Sequence, residues 1–109
     1  MGAAGFGDMS SLLKQAQQMQ KRMQDTEKDL QERIVEGTSG GGAVKVYVNG
    51  MQEVQAVKID PDAVDPEDVE GLEDLVTAAV RQAVSASRAL REKAMGKVTG
   101  GMNLPGMGF

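Results

Sequence analysis

The side chains that could do chemistry in this chain are its carboxylates, amines and guanidinium groups. The 109 residues include no cysteine and no histidine. The lack of cysteine excludes thiolate chemistry and a disulfide framework. The lack of histidine excludes the side chain that most often serves as general base or metal ligand. Lysine and arginine number 12 against 16 aspartates and glutamates, giving a formal net charge of −4. What these charges can do depends on where along the chain they lie.

Basic residues are concentrated towards the two ends of the chain. Lys14, Lys21 and Arg22 form the first group, and the second comprises Arg81, Arg88, Arg91, Lys93 and Lys97. Such groups bind phosphates by releasing counterions, and neighbouring Gln and Ser side chains add neutral donors. No recognition-helix motif, zinc site or aromatic stacking platform accompanies them, so any base-sequence readout should be weak. Charge alone leaves open a second interpretation, in which these residues are ordinary solvated helix surface.

A run of acidic residues separates the two basic groups. Residues 60–74 contain eight carboxylates and no basic residue. A calcium loop starting at Asp60 would need glutamate at its twelfth position, where Gly71 stands. A helix start fits better, with Asp65 as the N-cap and Pro66 as the first helical residue. The run therefore predicts a helix N-terminus, not a metal site.

No motif in the chain predicts an enzyme. The glycines at 40–42 lack the following Lys-Ser/Thr of a phosphate loop and indicate a flexible connection between strands. The acidic run offers paired carboxylates, but neither a nucleophile nor an apolar pocket accompanies them. We expect no cofactor and no small-molecule substrate.

A short sheet is predicted in the middle of the chain. Every second residue of 44–49 is a valine, the period of a half-buried strand. Asn49-Gly50 favours a tight hairpin turn, and a second strand follows over 54–59. Residues 33–38 supply a third antiparallel strand. A two-residue turn would place Glu53 on the valine face, so we expect the hairpin tip to be solvated or bulged.

A long helix is predicted on each side of this sheet. From Met9 to Leu30 apolar residues recur three and four apart, after an N-cap at Asp8 or Ser10. Its methionines are interpreted as packing residues, with a methionine metal site as the alternative. The second helix is predicted from Pro66 to Lys97. Residues 1–7 and 99–109 are glycine-rich and predicted to be disordered, leaving a single domain at 8–98.

The predicted helices should extend beyond the sheet. Each covers about 35–45 Å at roughly 1.5 Å per residue, against about 23 Å for a strand of seven residues. The free ends are the N-terminus of the first helix and the C-terminus of the second, and both are basic. Aromatic residues are few, and such a thin core indicates burial against a second copy. The candidate interface is the sheet face opposite the buried valines: Tyr47, Val54 and Ala56.

The chain shows no targeting segment. No apolar run approaches membrane-spanning length, and the N-terminus lacks the pattern of a secretory signal. We expect a soluble protein of the cytoplasm with no membrane partner.

Several segments, taken in order, resemble one family of bacterial proteins. They are LLKQAQQMQKRMQ, SGGGAVKVYVNG, VKIDP, LEDLVTAAVRQAV and MNLPGM, which together span roughly Leu12 to Met107. In these motifs the chain is similar to the YbaB/EbfC family of nucleoid-associated proteins.

The resemblance implies an α/β fold of one helix, a three-stranded antiparallel sheet and a C-terminal helix. It also implies a tweezers-like homodimer in the nucleoid whose helical arms grip double-stranded DNA, altering DNA conformation or gene expression. By position on the arms, the implied DNA-binding residues are Lys14, Gln18, Lys21, Arg22, Arg88, Arg91, Lys93 and Lys97. The alternative function is a protein-interaction adaptor for DNA-processing machinery, with little affinity of its own for DNA.

Overall fold

A computed structural model describes the backbone of residues 2–100 and the side chains of residues 9–100. The two helices are α1 (Gly2–Glu32) and α2 (Val69–Gly100), and the strands between them are β1 (Ile34–Ser39), β2 (Val44–Asn49) and β3 (Val54–Ile59). The strands form one antiparallel sheet in the order β1-β2-β3. The predicted order of one long helix, three strands and a second long helix is confirmed.

The core lies between α2 and the first two strands. The three valines of β2 are fully buried together with Ala79 and Ala83 of α2. Gly37 of β1 lies directly under this part of α2, where an added Cβ would come within 2.5 Å of the Ala83 backbone nitrogen. Small residues on both surfaces therefore allow α2 to pack closely on β1 and β2.

The hairpin between β2 and β3 differs from the tight turn predicted at Asn49-Gly50. The positive φ angle falls on Gln52, at 62°, and Gly50 has no positive φ. Gly50 is instead required for close packing, because an added Cβ would lie 2.7 Å from a side-chain carbon of Leu30. The Asn49 side-chain oxygen accepts hydrogen bonds from the backbone N–H groups of Met51 and Glu53, at 2.9 and 3.0 Å. These bonds shape a longer loop, as Asn side chains do in turns.

A bulge in β3 confirms that the hairpin is irregular. Tyr47 pairs with Ala56 while Val48 pairs with Val54, so Gln55 is the extra residue. This shift removes Glu53 and Gln55 from the positions opposite the β2 valines. It places apolar residues there instead.

Helix α2 begins later than predicted. Its first residue is Val69, and Asp68 caps it by accepting a hydrogen bond from the backbone N–H of Gly71 at 3.1 Å. Asp65, the predicted cap, accepts from the backbone N–H of Glu67 at 2.9 Å and closes a turn before the helix. A second such turn follows Asp60. Asp60, Asp65 and Asp68 each cap a turn, so the sequence pattern did not single out the one that begins α2.

The helix ends also extend further than predicted. Residues 2–7, predicted to be a disordered leader, continue α1, so Asp8 and Ser10 lie inside the helix. Once a helix is nucleated, each further residue adds a backbone hydrogen bond at little cost, and no proline interrupts this segment. Thr99 and Gly100 likewise belong to α2. The rest of the predicted tail, 101–109, lies outside the described residues.

Both free helix ends lie on the same side of the sheet. Leu30, near the end of α1, is fully buried, and its carbonyl accepts a hydrogen bond from the Gly50 backbone N–H at 2.8 Å. Helix α2 crosses β1 and β2, passes this hairpin tip, and continues beside α1. The molecule measures 80 by 26 by 17 Å, whereas a six-residue strand covers only about 20 Å. The helices therefore extend well beyond the sheet.

Candidate nucleic-acid interface

Residues 9–21 of α1 form a largely exposed arm with two different faces. Lys14, Gln18 and Lys21 follow one another at spacings of four and three residues, so they share one face of the helix. Every residue from Met9 to Gln18 is exposed. On the other side of the arm, Leu12 and Leu13 remain 63% and 62% exposed. Lys14, Gln18 and Lys21 are all exposed and are therefore available to a partner.

A groove between α1 and α2 holds three more of the predicted residues. Arg22 of α1 and Lys93 and Lys97 of α2 line an open groove of about 510 Å³. Its remaining lining residues are Asp25, Thr26, Asp29, Arg33, Leu90, Ala94 and Val98. Four basic side chains thus face two carboxylates, which leaves the groove net positive and able to bind an anion.

Arg88 and Arg91 lie elsewhere on α2. They line a second concave surface, of about 390 Å³, together with Gln52, Glu92 and Met95. Arg91 and Lys93 are two residues apart, which corresponds to about 200° around a helix. The eight predicted residues are consequently divided among the α1 arm, the groove and the Arg88–Arg91 surface, instead of forming one continuous patch.

Few of these charges are neutralised within the chain. Among the side chains of residues 9–100, the single ion pair joins Asp29 and Arg33 at 3.9 Å, and both partners are largely exposed. The acidic run lies before and at the start of α2, and Asp74 precedes Arg88 by 14 residues, about 21 Å along the helix. That separation exceeds the Debye length of about 8 Å at physiological ionic strength. The basic and acidic ends of the molecule are therefore electrostatically distinct.

The acidic residues have local structural partners. As described above, Asp60, Asp65 and Asp68 each accept a backbone N–H bond. Within the described part of the chain, no group of three or more Asp or Glu side chains is placed to hold a metal ion.

Sequence reasoning did not assign the other charged residues of the groove to a site, nor the hairpin residue of the Arg88–Arg91 surface. Asp25, Asp29 and Arg33 were not assigned to any site, although the four-residue spacing of Asp29 and Arg33 is typical of helical ion pairs. Gln52 joins the second surface because the hairpin loop folds against α2. Nothing in the local sequence indicated that contact.

The predicted dimer-interface residues do not share one face. Tyr47 and Ala56 pair with each other and are half-buried, and the Lys58 ammonium lies 5.8 Å from the Tyr47 ring centre. Val54 pairs with Val48, so it lies on the opposite face, with the buried valines. The placement of Val54 beside Tyr47 and Ala56 was therefore wrong, because the bulge at Gln55 reverses its side.

An apolar surface lies on β3 instead. Val54, Val57 and Ile59 are paired with Val48, Val46 and Val44 and continue the core face of the sheet. They are nevertheless 52%, 45% and 38% exposed, because α2 covers β1 and β2 and leaves β3 open. We call these three residues the β3 surface.

No helix within residues 2–100 has the length and apolar character needed to cross a membrane.

Comparison with known proteins agrees with this architecture. A protein named nucleoid-associated protein from Alkaliphilus metalliredigens is 49% identical over 106 residues, which cover 97% of this chain and 93% of that protein. One of the same name from Clostridium kluyveri is 47% identical over 103 residues, covering 94% and 90%.

A crystal structure of an uncharacterized protein from Helicobacter pylori has a similar fold, with a TM-score of 0.67 and 27% identity. The similarity covers 81% of this chain and 89% of that one. The model of the YbaB/EbfC DNA-binding family matches residues 5–102. The resemblance noted in the sequence is thereby confirmed, and this chain belongs to the YbaB/EbfC DNA-binding family.

Proposed function

We propose that this chain is a nucleoid-associated protein that binds double-stranded DNA as a homodimer through its basic helical ends. The observation that carries the proposal is the separation of charge along the long axis. The sheet end carries the acidic run of residues 60–74, while the extended helices carry Lys14, Lys21, Arg22, Lys93 and Lys97 with few internal ion partners. An anionic polymer is repelled by one end of such a molecule and attracted to the other.

The contacts expected of these residues are contacts to phosphate. Lysine and arginine on exposed helix faces bind the duplex backbone and release counterions, which provides affinity without base readout. Gln18, between Lys14 and Lys21 on the same face, adds a neutral donor. Among residues 9–100, these surfaces contain no aromatic side chain that would stack on exposed bases, so we assign the partner as duplex DNA and not single strands.

The β3 surface supports a homodimer. Its three aliphatic side chains continue the core face of the sheet and are left uncovered by the side chains of residues 9–100. Burying such side chains contributes about 1.5–3 kcal/mol each when burial is complete. A second copy placed here would complete the core and double the number of basic arms, which increases DNA affinity through multivalency.

The experiment is a titration of labelled duplexes with purified full-length chain, followed by fluorescence anisotropy at several salt concentrations. We expect tight binding at low salt, a steep loss of affinity as salt rises, and similar values for duplexes of unrelated sequence. Affinity that does not change with salt would refute the phosphate-contact mechanism. Negligible affinity at low salt would favour the adaptor function instead.

A further inference from the structure

The basic residues in the second half of α2 occupy opposite flanks of the helix. Lys93 and Lys97, four residues apart, face the groove shared with Arg22. Arg88 and Arg91, three residues apart, face the hairpin loop at Gln52. Adjacent residues of an α-helix are rotated by about 100°, so the two pairs point in roughly opposite directions.

Each flank has the composition of a phosphate-binding surface. The Arg88–Arg91 surface has a single carboxylate, Glu92, against two guanidinium groups. The groove has Asp25 and Asp29 against four basic groups. All four basic residues in the second half of α2 are exposed, and none of them is in an ion pair among the described side chains. Both flanks therefore remain positive at the same time.

A single straight duplex could contact both flanks at once only if this part of α2 entered one of the grooves of the DNA. The major groove of B-DNA is about 12 Å wide and admits a single helix. Here α1 lies beside α2, and paired helices with axes about 8–10 Å apart are roughly 20 Å across. The helix pair is too wide to enter, so each flank meets a different segment of DNA.

We propose that the chain bridges two duplexes, one bound at the Lys93–Lys97 flank and the other at the Arg88–Arg91 flank. This proposal rests on the proposed DNA-binding function. The α-helix between them has a diameter of about 10 Å with its side chains, which is close to the Debye length of about 8 Å. The repulsion between the two duplexes is therefore largely screened, and the four cations between them reduce it further.

The test is a capture assay with the full-length protein carrying Val57→Lys and Ile59→Lys on the β3 surface, so that a second copy in a dimer does not supply the flank that a variant lacks. One duplex is fixed to beads, the protein is added until that duplex is saturated, and retention of a second, fluorescent duplex is measured. Two variants remove two charges from one flank each: Arg88→Gln with Arg91→Gln, and Lys93→Gln with Lys97→Gln. The control, Lys45→Gln with Lys58→Gln, removes two exposed charges from the sheet, where the two lysines pair across β2 and β3. Circular dichroism checks that all variants fold.

We expect capture of the second duplex to fall at least tenfold in both flank variants and to stay within twofold in the control. Each flank variant should still bind a single duplex, with a weaker salt dependence. If only one flank variant loses capture, or if neither does, the second duplex is held without one of the two flanks, and the two-flank proposal is wrong. Wild-type protein that binds one duplex but captures no second one also overturns it, while leaving the proposed function intact. Absence of any duplex binding would refute both.

Discussion

The Ser87 hydroxyl donates a hydrogen bond of 2.6 Å to the backbone carbonyl of Asn49. Ser87 is fully buried on α2, and Asn49 ends strand β2, so this bond joins the helix to the hairpin tip. The same hydroxyl oxygen accepts hydrogen bonds from the backbone N–H and the side-chain amide of Gln52, at 3.2 and 3.0 Å. These hydrogen bonds lie where α2 leaves the sheet, and they therefore set the direction of the basic end of α2.

Replacing Ser87 with alanine should destabilise the protein by about 1–3 kcal/mol, because buried Asn49 and half-buried Gln52 lose a hydrogen-bond partner. Chemical denaturation followed by circular dichroism measures this loss. The matched control is Ser85→Ala, since Ser85 is exposed on the same helix and should change stability by less than about 0.5 kcal/mol. Equal effects of the two substitutions would show that the hydrogen bonds of Ser87 contribute no specific stability.

Two glycines should respond in opposite ways to alanine. Gly37→Ala places a methyl group against the backbone of Ala79 and Ala83 and should destabilise the fold by about 1–3 kcal/mol or more, since α2 must move away from β1. Gly96→Ala meets no atom within 4 Å and should stabilise α2 by up to about 1 kcal/mol through helix propensity. Thermal unfolding of both variants measures the difference. A tolerated Gly37→Ala would contradict the close packing of α2 on β1.

The β3 surface gives a prediction about assembly. Val57→Lys with Ile59→Lys adds charge where a second copy is proposed to pack, and should weaken dimerisation roughly 30-fold or more, on about 2 kcal/mol of lost apolar burial. Analytical ultracentrifugation over a range of concentrations measures this change.

The control for assembly is Thr77→Lys, an exposed position on α2 outside the β3 surface. A dimer that persists unchanged in the β3 variant would place the interface elsewhere.

The sequence predicted the order of elements well because its patterns are local. Alternating valines and the three-and-four spacing of apolar residues each follow the side-chain period of a single strand or helix, and the elements that they predicted are present in the structure. The helix ends were less predictable: Asp60, Asp65 and Asp68 all make the same kind of bond to the backbone, and only the last of them caps α2.

The hairpin and the site depend on residues that are distant in sequence. Gly50 must be glycine because it packs against Leu30, twenty positions earlier. The local sequence Asn49-Gly50 predicted a tight turn and did not indicate this packing contact. Charge counting located the basic ends of the helices. It could not show that α1 and α2 run side by side, which brings Arg22 next to Lys93 and Lys97 and separates them from Arg88 and Arg91.

We propose that DNA contacts the basic end of the helices and not the acidic end of α2. The most direct test compares the slope of log affinity against log salt for two variants. Lys93→Gln with Lys97→Gln removes two phosphate contacts, and the slope should become shallower by about 2. Glu70→Gln with Glu73→Gln changes two charges at the other end of the same helix, and its slope should match that of the wild-type protein. An unchanged slope in the lysine variant, or an equal change in both variants, would show that DNA is not held at the basic end of the helices.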